Sequence, residues 1–181
     1  MSESGHHPPP VERFYDLNRL SEAGYETTIA LGPDERTELA DWAAVVGVDR
    51  FEARIALRRL SSARFAYSAH LEADITQSCI VTLEPVSSHI VLDITRNLHL
   101  VPQLKKMIDL SGELAPASGD DEVPEEIDKS RYDLAAPLLE EFSLAIDPYP
   151  RAPGVAFDAP GKENSGRESP FSVLKALKSK R

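Results

Sequence analysis

From Phe51 onward the apolar residues of this chain recur at every second position, a period that dictates strands with one buried face. Phe51, Ala53, Ile55 and Leu57 alternate with Glu52, Arg54, Ala56 and Arg58. After the turn-forming Ser61-Ser62, Phe65, Tyr67, Ala69, Leu71 and Ala73 alternate with Ala66, Ser68, His70, Glu72 and Asp74. So short a link leaves no room for a crossover helix, which makes this pair antiparallel. Cys79, Val81 and Leu83 read as the start of a further alternation that Pro85 ends. Ile90, Leu92, Ile94, Leu98 and Leu100 then line one face of a longer strand whose other face carries His89, Asp93, Asn97 and His99. The predicted centre of the fold is an antiparallel β meander.

Two short extended segments precede it, one from Phe14 to Leu17 and one from Tyr25 to Leu31, the latter with β-branched Thr27, Thr28 and Ile29. Gly32-Pro33-Asp34-Glu35 is a helix-start pattern, because proline fits the first turn and carboxylates favour the positive end of the helix dipole. Leu39, Trp42, Ala43 and Val46 follow at helical spacing, Trp42 reads as a core anchor, and Gly47 is the expected stop. The fold class expected is therefore α+β: a single domain with a β meander, one packed helix after the second strand, an acidic mobile segment and short C-terminal helices.

The remaining segments divide by composition. Residues 1–10, with His6, His7 and three consecutive prolines, read as a flexible tail ahead of a sheet-and-helix core over residues 11–104. Residues 105–131 hold Asp109, Glu113, Asp120, Asp121, Glu122, Glu125, Glu126 and Asp128 among Gly, Pro and Ser, a composition that buries too little apolar surface to offset ordering entropy. Residues 132–150 are expected to complete the domain with a helix and a short strand. Leu134, Leu138, Leu139 and Phe142 share the helical face, and Pro137 keeps that helix short or starts it late. Residues 151–168 read as an irregular linker, and residues 169–181 as a basic amphipathic helix capped by Ser169 with Pro170 at its first position.

A chain of 181 residues with 41% hydrophobic content suffices for one core. Its single cysteine excludes an intrachain disulfide, and no secretory leader pattern follows Met1, so a cytoplasmic protein is expected. Every hydrophobic stretch is interrupted by Pro, Asp, Glu or Arg well short of the roughly 20 residues a membrane helix needs, which argues against a membrane partner. The net charge of −10 would repel a polyanion if spread evenly. It is not: Arg50, Arg54, Arg58, Arg59 and Arg64 are opposed only by Asp49 and Glu52 in the same stretch.

The templates of catalysis are missing: there is no glycine-rich phosphate loop, nucleophile elbow or His-Glu metal motif. Carboxylates concentrated in a mobile loop suit a solvated arm better than general acid-base work, which needs rigid placement. Cys79, in phase with Val81 and Leu83, reads as a buried structural thiol, and His70, His89 and His99 lack the paired spacing of zinc ligands. No enzyme activity, catalytic residue, metal or cofactor is expected. Arg54 and Arg58 project from one strand face and can track a phosphate backbone, although a merely solvated charged face is the commoner use of such residues. Arg167 just precedes, and Phe171, Lys175 and Lys178 belong to, the C-terminal amphipathic segment, which suits docking on RNA or another partner and packing on its own domain equally.

Three segments together resemble the YceD family, the large ribosomal RNA subunit accumulation proteins, in its alphaproteobacterial form. They are residues 71–86 (Leu-Glu-Ala-Asp-Ile-Thr-Gln-Ser-Cys-Ile-Val-Thr-Leu-Glu-Pro-Val), the stretch 132–150 with its leucine-rich helix, short apolar strand and proline pair, and residues 169–178. The last, Ser-Pro-Phe-Ser-Val-Leu-Lys-Ala-Leu-Lys, is similar to the family's closing Asn-Pro-Phe-x-x-Leu-x-x-Leu-Lys. Many members carry a Cys-x-x-Cys pair where this chain has Cys79-Ile80-Val81-Thr82, so a metal or redox role of that pair does not carry over. The resemblance implies a part in accumulation of 23S ribosomal RNA and assembly of the large (50S) subunit, with ribosomal RNA or a precursor particle as partner. An acidic chaperone for a basic ribosomal protein, without RNA contact, is the nearest alternative. A metal-dependent hydrolase or nuclease built on His70, His89 or His99 is a distant one.

Overall fold

The computed structural model describes residues 9–101 and 124–155. Strands β1 (Phe14–Asp16) and β2 (Tyr25–Ala30) precede helix α1 (Pro33–Trp42) and three long strands, β3 (Gly47–Arg59), β4 (Arg64–Ser78) and β5 (Pro85–Leu100). The short β6 (Glu125–Ile127) and β7 (Arg131–Asp133) follow, then helix α2 (Ala136–Ala145). The order β2-β3-β4-β5-β6 makes a five-stranded sheet, antiparallel except that β6 runs parallel to β5, and β1 and β7 form a separate antiparallel pair. The fold is α+β with a β meander at its centre, as the alternation predicts.

The period-2 pattern sorts the two faces of this sheet. Phe51, Ala53, Ile55 and Leu57 of β3, Phe65, Tyr67, Leu71, Ala73 and Ile75 of β4, and Ile90, Ile94 and Leu98 of β5 are buried in one core with Leu39 of α1 and Leu138, Leu139 and Phe142 of α2. Phe142 meets Phe51 edge-on at 5.4 Å between ring centroids, a favoured aromatic geometry. The Tyr67 hydroxyl, driven by burial to the very top of the phenol range, donates to Leu134 O at 3.0 Å and satisfies the one polar atom that ring brings inside. Arg96, opposite Tyr67 in the ladder, emerges at the rim of the core face and pairs with Glu141 at 2.5 Å and Glu140 at 3.2 Å of α2. Arg59 donates to the carbonyls of Leu17, Asn18 and Leu20, holding the turn after β1 against the end of β3.

Several local expectations are corrected. Helix α1 stops at Trp42 instead of running to Gly47: Ala44 takes a left-handed φ of +54° and Val45 N–H turns back to Ala40 O. Val46 is thereby exposed, and Trp42 packs against the core only in part. The stretch after β4 is a loop, not a strand. Cys79 N–H donates to Glu84 O, Leu83 N–H donates to Cys79 O, and Leu83 sits at φ +64°, so an alternation that was only compositional turns back on itself. Pro85 opens β5 where it was expected to end a strand. Residues 102–123, which include most of the acidic segment 105–131, lie outside the described residues, while Glu125–Ile127 pairs with the edge of the sheet, where Val101 N–H also bonds Ile127 O. The short strand within 132–150 precedes the helix, as part of Arg131–Asp133, and the residues after it form none. The tail's residues 1–8 and the segment 156–181 also lie outside the described residues.

Gly24 occupies φ +85°, and a Cβ there would sit 2.8 Å from Leu57 O, closer than real Cβ atoms come. Gly24→Ala should therefore destabilise the fold by about 1–3 kcal/mol through backbone strain and that clash, read as a lower midpoint in urea.

Candidate functional site

The second face of the sheet carries the polar halves of the three long strands, and no described element covers it. Register builds the site. Thr28, Arg54, His70 and Asp93 stand in one cross-strand row on β2, β3, β4 and β5, and Glu26, Ala56, Ser68 and Thr95 form the next. Directly opposed residues lie about 4.5–5.5 Å apart at Cβ, so each row acts as a unit. The small side chains Ala56 and Ser68 lower the middle of the surface, leaving a basin of about 480 Å³ walled by Arg54, His70, Asp93, Glu26, Thr28 and Thr95.

Charge on this face is divided. Towards the start of β3, Arg50 is held by Glu72 at 2.7 Å and Glu52 at 2.9 Å, and His89 by Asp74 at 2.6 Å. His70 Nδ1 lies 2.7 Å from Asp93 Oδ1, with Glu72 at 3.6 Å from its Nε2. Towards the other end, Arg54, Arg58 and Arg64 have neither an ion pair nor a side-chain hydrogen bond among the described residues, and all three are exposed. Arg58 faces Ala66, two positions from Arg64 on the same strand, so these two are diagonal neighbours.

Of the residues named from sequence, Arg54 lies in the basin wall, and Arg58 stands on the same face about 13 Å further along β3, outside the basin. Arg167, Phe171, Lys175 and Lys178 lie outside the described residues. Sequence reasoning had put His70 and Asp93 on polar faces without joining them, because register between strands is not written in either strand alone. Their partnership, and Arg64 as the third unpaired arginine, come from the ladder.

The hydrogen bond that Asp93 accepts from the ring and its charge, with Glu72 adding to them, favour the imidazolium and raise the His70 pKa above 6.5. The His70 contribution to stability is therefore complete below pH 6.5, where the unfolded chain is also protonated, and is lost as pH rises through the raised folded value. An NMR titration of the His70 ring should give a midpoint above 6.5, and Asp93→Asn should bring it down.

Cys79 is buried at the loop after β4, where its Sγ accepts N–H groups of Ala152 at 3.4 Å and of Val81 and Thr82 at 3.5 Å. The Thr82 side chain together with these backbone donors pushes the thiol down to about 6, outweighing burial. Thr82, three residues on from Cys79, serves its thiol as a hydrogen-bond partner. Among the described residues, no group of three or more His, Cys, Asp or Glu side chains converges as a metal ion requires, and His70 and His89 are each bonded to a different aspartate. No described helix is long and apolar enough to cross a membrane. No family model, no curated protein and no solved structure matches the chain.

Proposed function

We propose that the chain is a non-enzymatic assembly factor of the large ribosomal subunit that aids 23S ribosomal RNA accumulation by holding RNA backbone on the uncovered face of its sheet. One observation carries the reading: among the described residues Arg54, Arg58 and Arg64 stand unpaired on a rigid face, whereas Arg13, Arg50 and Arg96 are each held by a carboxylate and Arg36 and Arg59 by backbone carbonyls. An unengaged guanidinium fork is matched to phosphate oxygens, and strands hold its base more firmly than a loop would. The basin beside Arg54, with Thr28, Ser68 and Thr95 hydroxyls and the His70 ring, offers hydrogen-bond partners for a sugar or base edge. The three-segment resemblance to the YceD family supplies the ribosomal RNA. The role asks for no bond making, cofactor or metal.

A net charge of −10 requires this contact to be local, with the anionic bulk of the protein facing away from the RNA. The test is sedimentation of ribosomes from depleted cells complemented with Arg54→Gln/Arg58→Gln/Arg64→Gln. Depletion should produce a large-subunit deficit that the wild-type chain reverses and the triple variant does not. Full reversal by the triple variant points instead to a chaperone for a basic ribosomal protein, and normal subunits on depletion reject the ribosomal reading.

A further inference from the structure

A second surface lies at the other end of β4. The turn Ala43–Ala44–Val45–Val46 after α1, the β4 end at Gln77 and Ser78, Ile80, and the stretch Ile146, Asp147, Pro148 and Pro150 after α2 enclose a cleft of about 480 Å³. Most of its lining residues are apolar, with polar backbone and side-chain atoms open between them. Val46 is 63% exposed, Ile80 46%, and Tyr149, between the two prolines, 69%, a density of bare apolar side chains that a lone surface residue does not explain. At its base Gln77 is only 7% exposed; its Nε2 donates to Asp147 O at 2.8 Å, but its buried Oε1 accepts from nothing among the described residues. An unsatisfied buried acceptor is costly and calls for a donor from outside.

The cleft also has a sign. Helix α1 ends at Trp42 and α2 at Ala145, each flanking the lining residues, and neither has a basic residue in its last turn. The negative ends of two helix dipoles thus meet there uncompensated, with Asp41 in the last turn of α1 and Asp147 in the wall. An occupant should be apolar on one side, cationic beside it, and equipped with an N–H donor.

We propose that this cleft is the docking site of the chain's own C-terminal segment, residues 169–181. The segment places Phe171, Leu174 and Leu177 at helical spacing among Lys175, Lys178, Lys180 and Arg181, which is the chemistry the cleft selects. The described chain runs on from its wall: Ile80 N–H bonds Pro150 O at 2.9 Å, Ala152 N–H bonds Cys79 Sγ at 3.4 Å, and the described residues end at Val155, five residues past Pro150. The 14 residues from 156 to 169 reach about 45–50 Å at full extension, more than the cleft demands. Tethering at that length gives an effective concentration near the millimolar range, so weak docking suffices to occupy the site.

The test compares amide and Gln77 side-chain NMR spectra of the full chain with those of the full-length Phe171→Ala/Leu174→Ala variant. Differences should concentrate at Ala44, Val46, Gln77 and Ile80, and adding a synthetic peptide of residues 168–181 to the double variant should reverse them. Asp41→Lys relieves an unfavourable charge at the end of α1 and should leave the fold at least as stable, yet weaken peptide binding about three- to tenfold at low salt. Coincident spectra at the cleft, changes confined to the arginine face, or peptide affinity indifferent to Asp41→Lys would each overturn the proposal.

Discussion

Phe142→Ala is expected to lower the free energy of unfolding by about 3–5 kcal/mol, among the largest single-residue effects in this fold. The ring is fully buried and edge-on to Phe51, so its removal takes out the contact by which α2 closes the core over the start of β3. Leu138 and Leu139 of α2 stay buried beside the gap, while the Tyr67 hydroxyl to Leu134 O just ahead of the helix and Arg96 to Glu141 fix its orientation. In urea the midpoint should fall with little change in slope, as for a core cavity in a cooperative unit. Leu144→Ala on the same helix, at a side chain 75% exposed, should change stability by less than about 0.5 kcal/mol. Equal effects at the two positions would mean that α2 is turned differently on the sheet.

The second large effect concerns binding. Converting Arg54, Arg58 and Arg64 together to glutamine should weaken RNA association on the order of a thousandfold or more at low salt, since each change removes a charge-assisted contact worth about 1.5 kcal/mol or more. Stability should stay within about 0.5 kcal/mol, because none of the three side chains has a partner to lose among the described residues. Arg151→Gln, exposed on the other side of β4's far loop, is the control and should leave affinity unchanged.

The sheet was legible because alternation is a strong constraint when one face is buried. Phe51 to Leu57 and Phe65 to Ala73 face the core as read, and Ile90, Ile94 and Leu98 continue that face. The same rule misled at Cys79, Val81 and Leu83, where three apolar residues at even spacing belong to a loop closed by local backbone hydrogen bonds. The early end of α1 was hidden for a related reason: Ala44 adopts the left-handed conformation that Gly47 appeared to reserve, and composition carries no mark of it. Strand Glu125–Ile127 shows that a charged segment can still contribute an edge strand when its backbone groups have a neighbour at β5 to pair with.

At the site, the arginine face followed directly from the period of β3. Its division into paired and unpaired charge did not, because that depends on the register of β4 against β5: one residue's slip would separate His70 from Asp93 and leave each in water. The resulting row gives the face a built-in pH response. Above the raised pKa of His70 a positive charge beside Arg54 disappears, so RNA affinity should decline with rising pH in the wild type and lose that dependence in His70→Gln.

The most direct test of the central claim is the salt dependence of binding to 23S ribosomal RNA, measured side by side for the wild-type chain and the Arg54, Arg58, Arg64 triple glutamine variant. Binding through these arginines predicts a linear fall of log affinity with log salt for the wild type, and a slope shallower by about 2–3 for the variant. Superimposable lines, or a wild-type chain that fails to bind the RNA even at low salt, would contradict it.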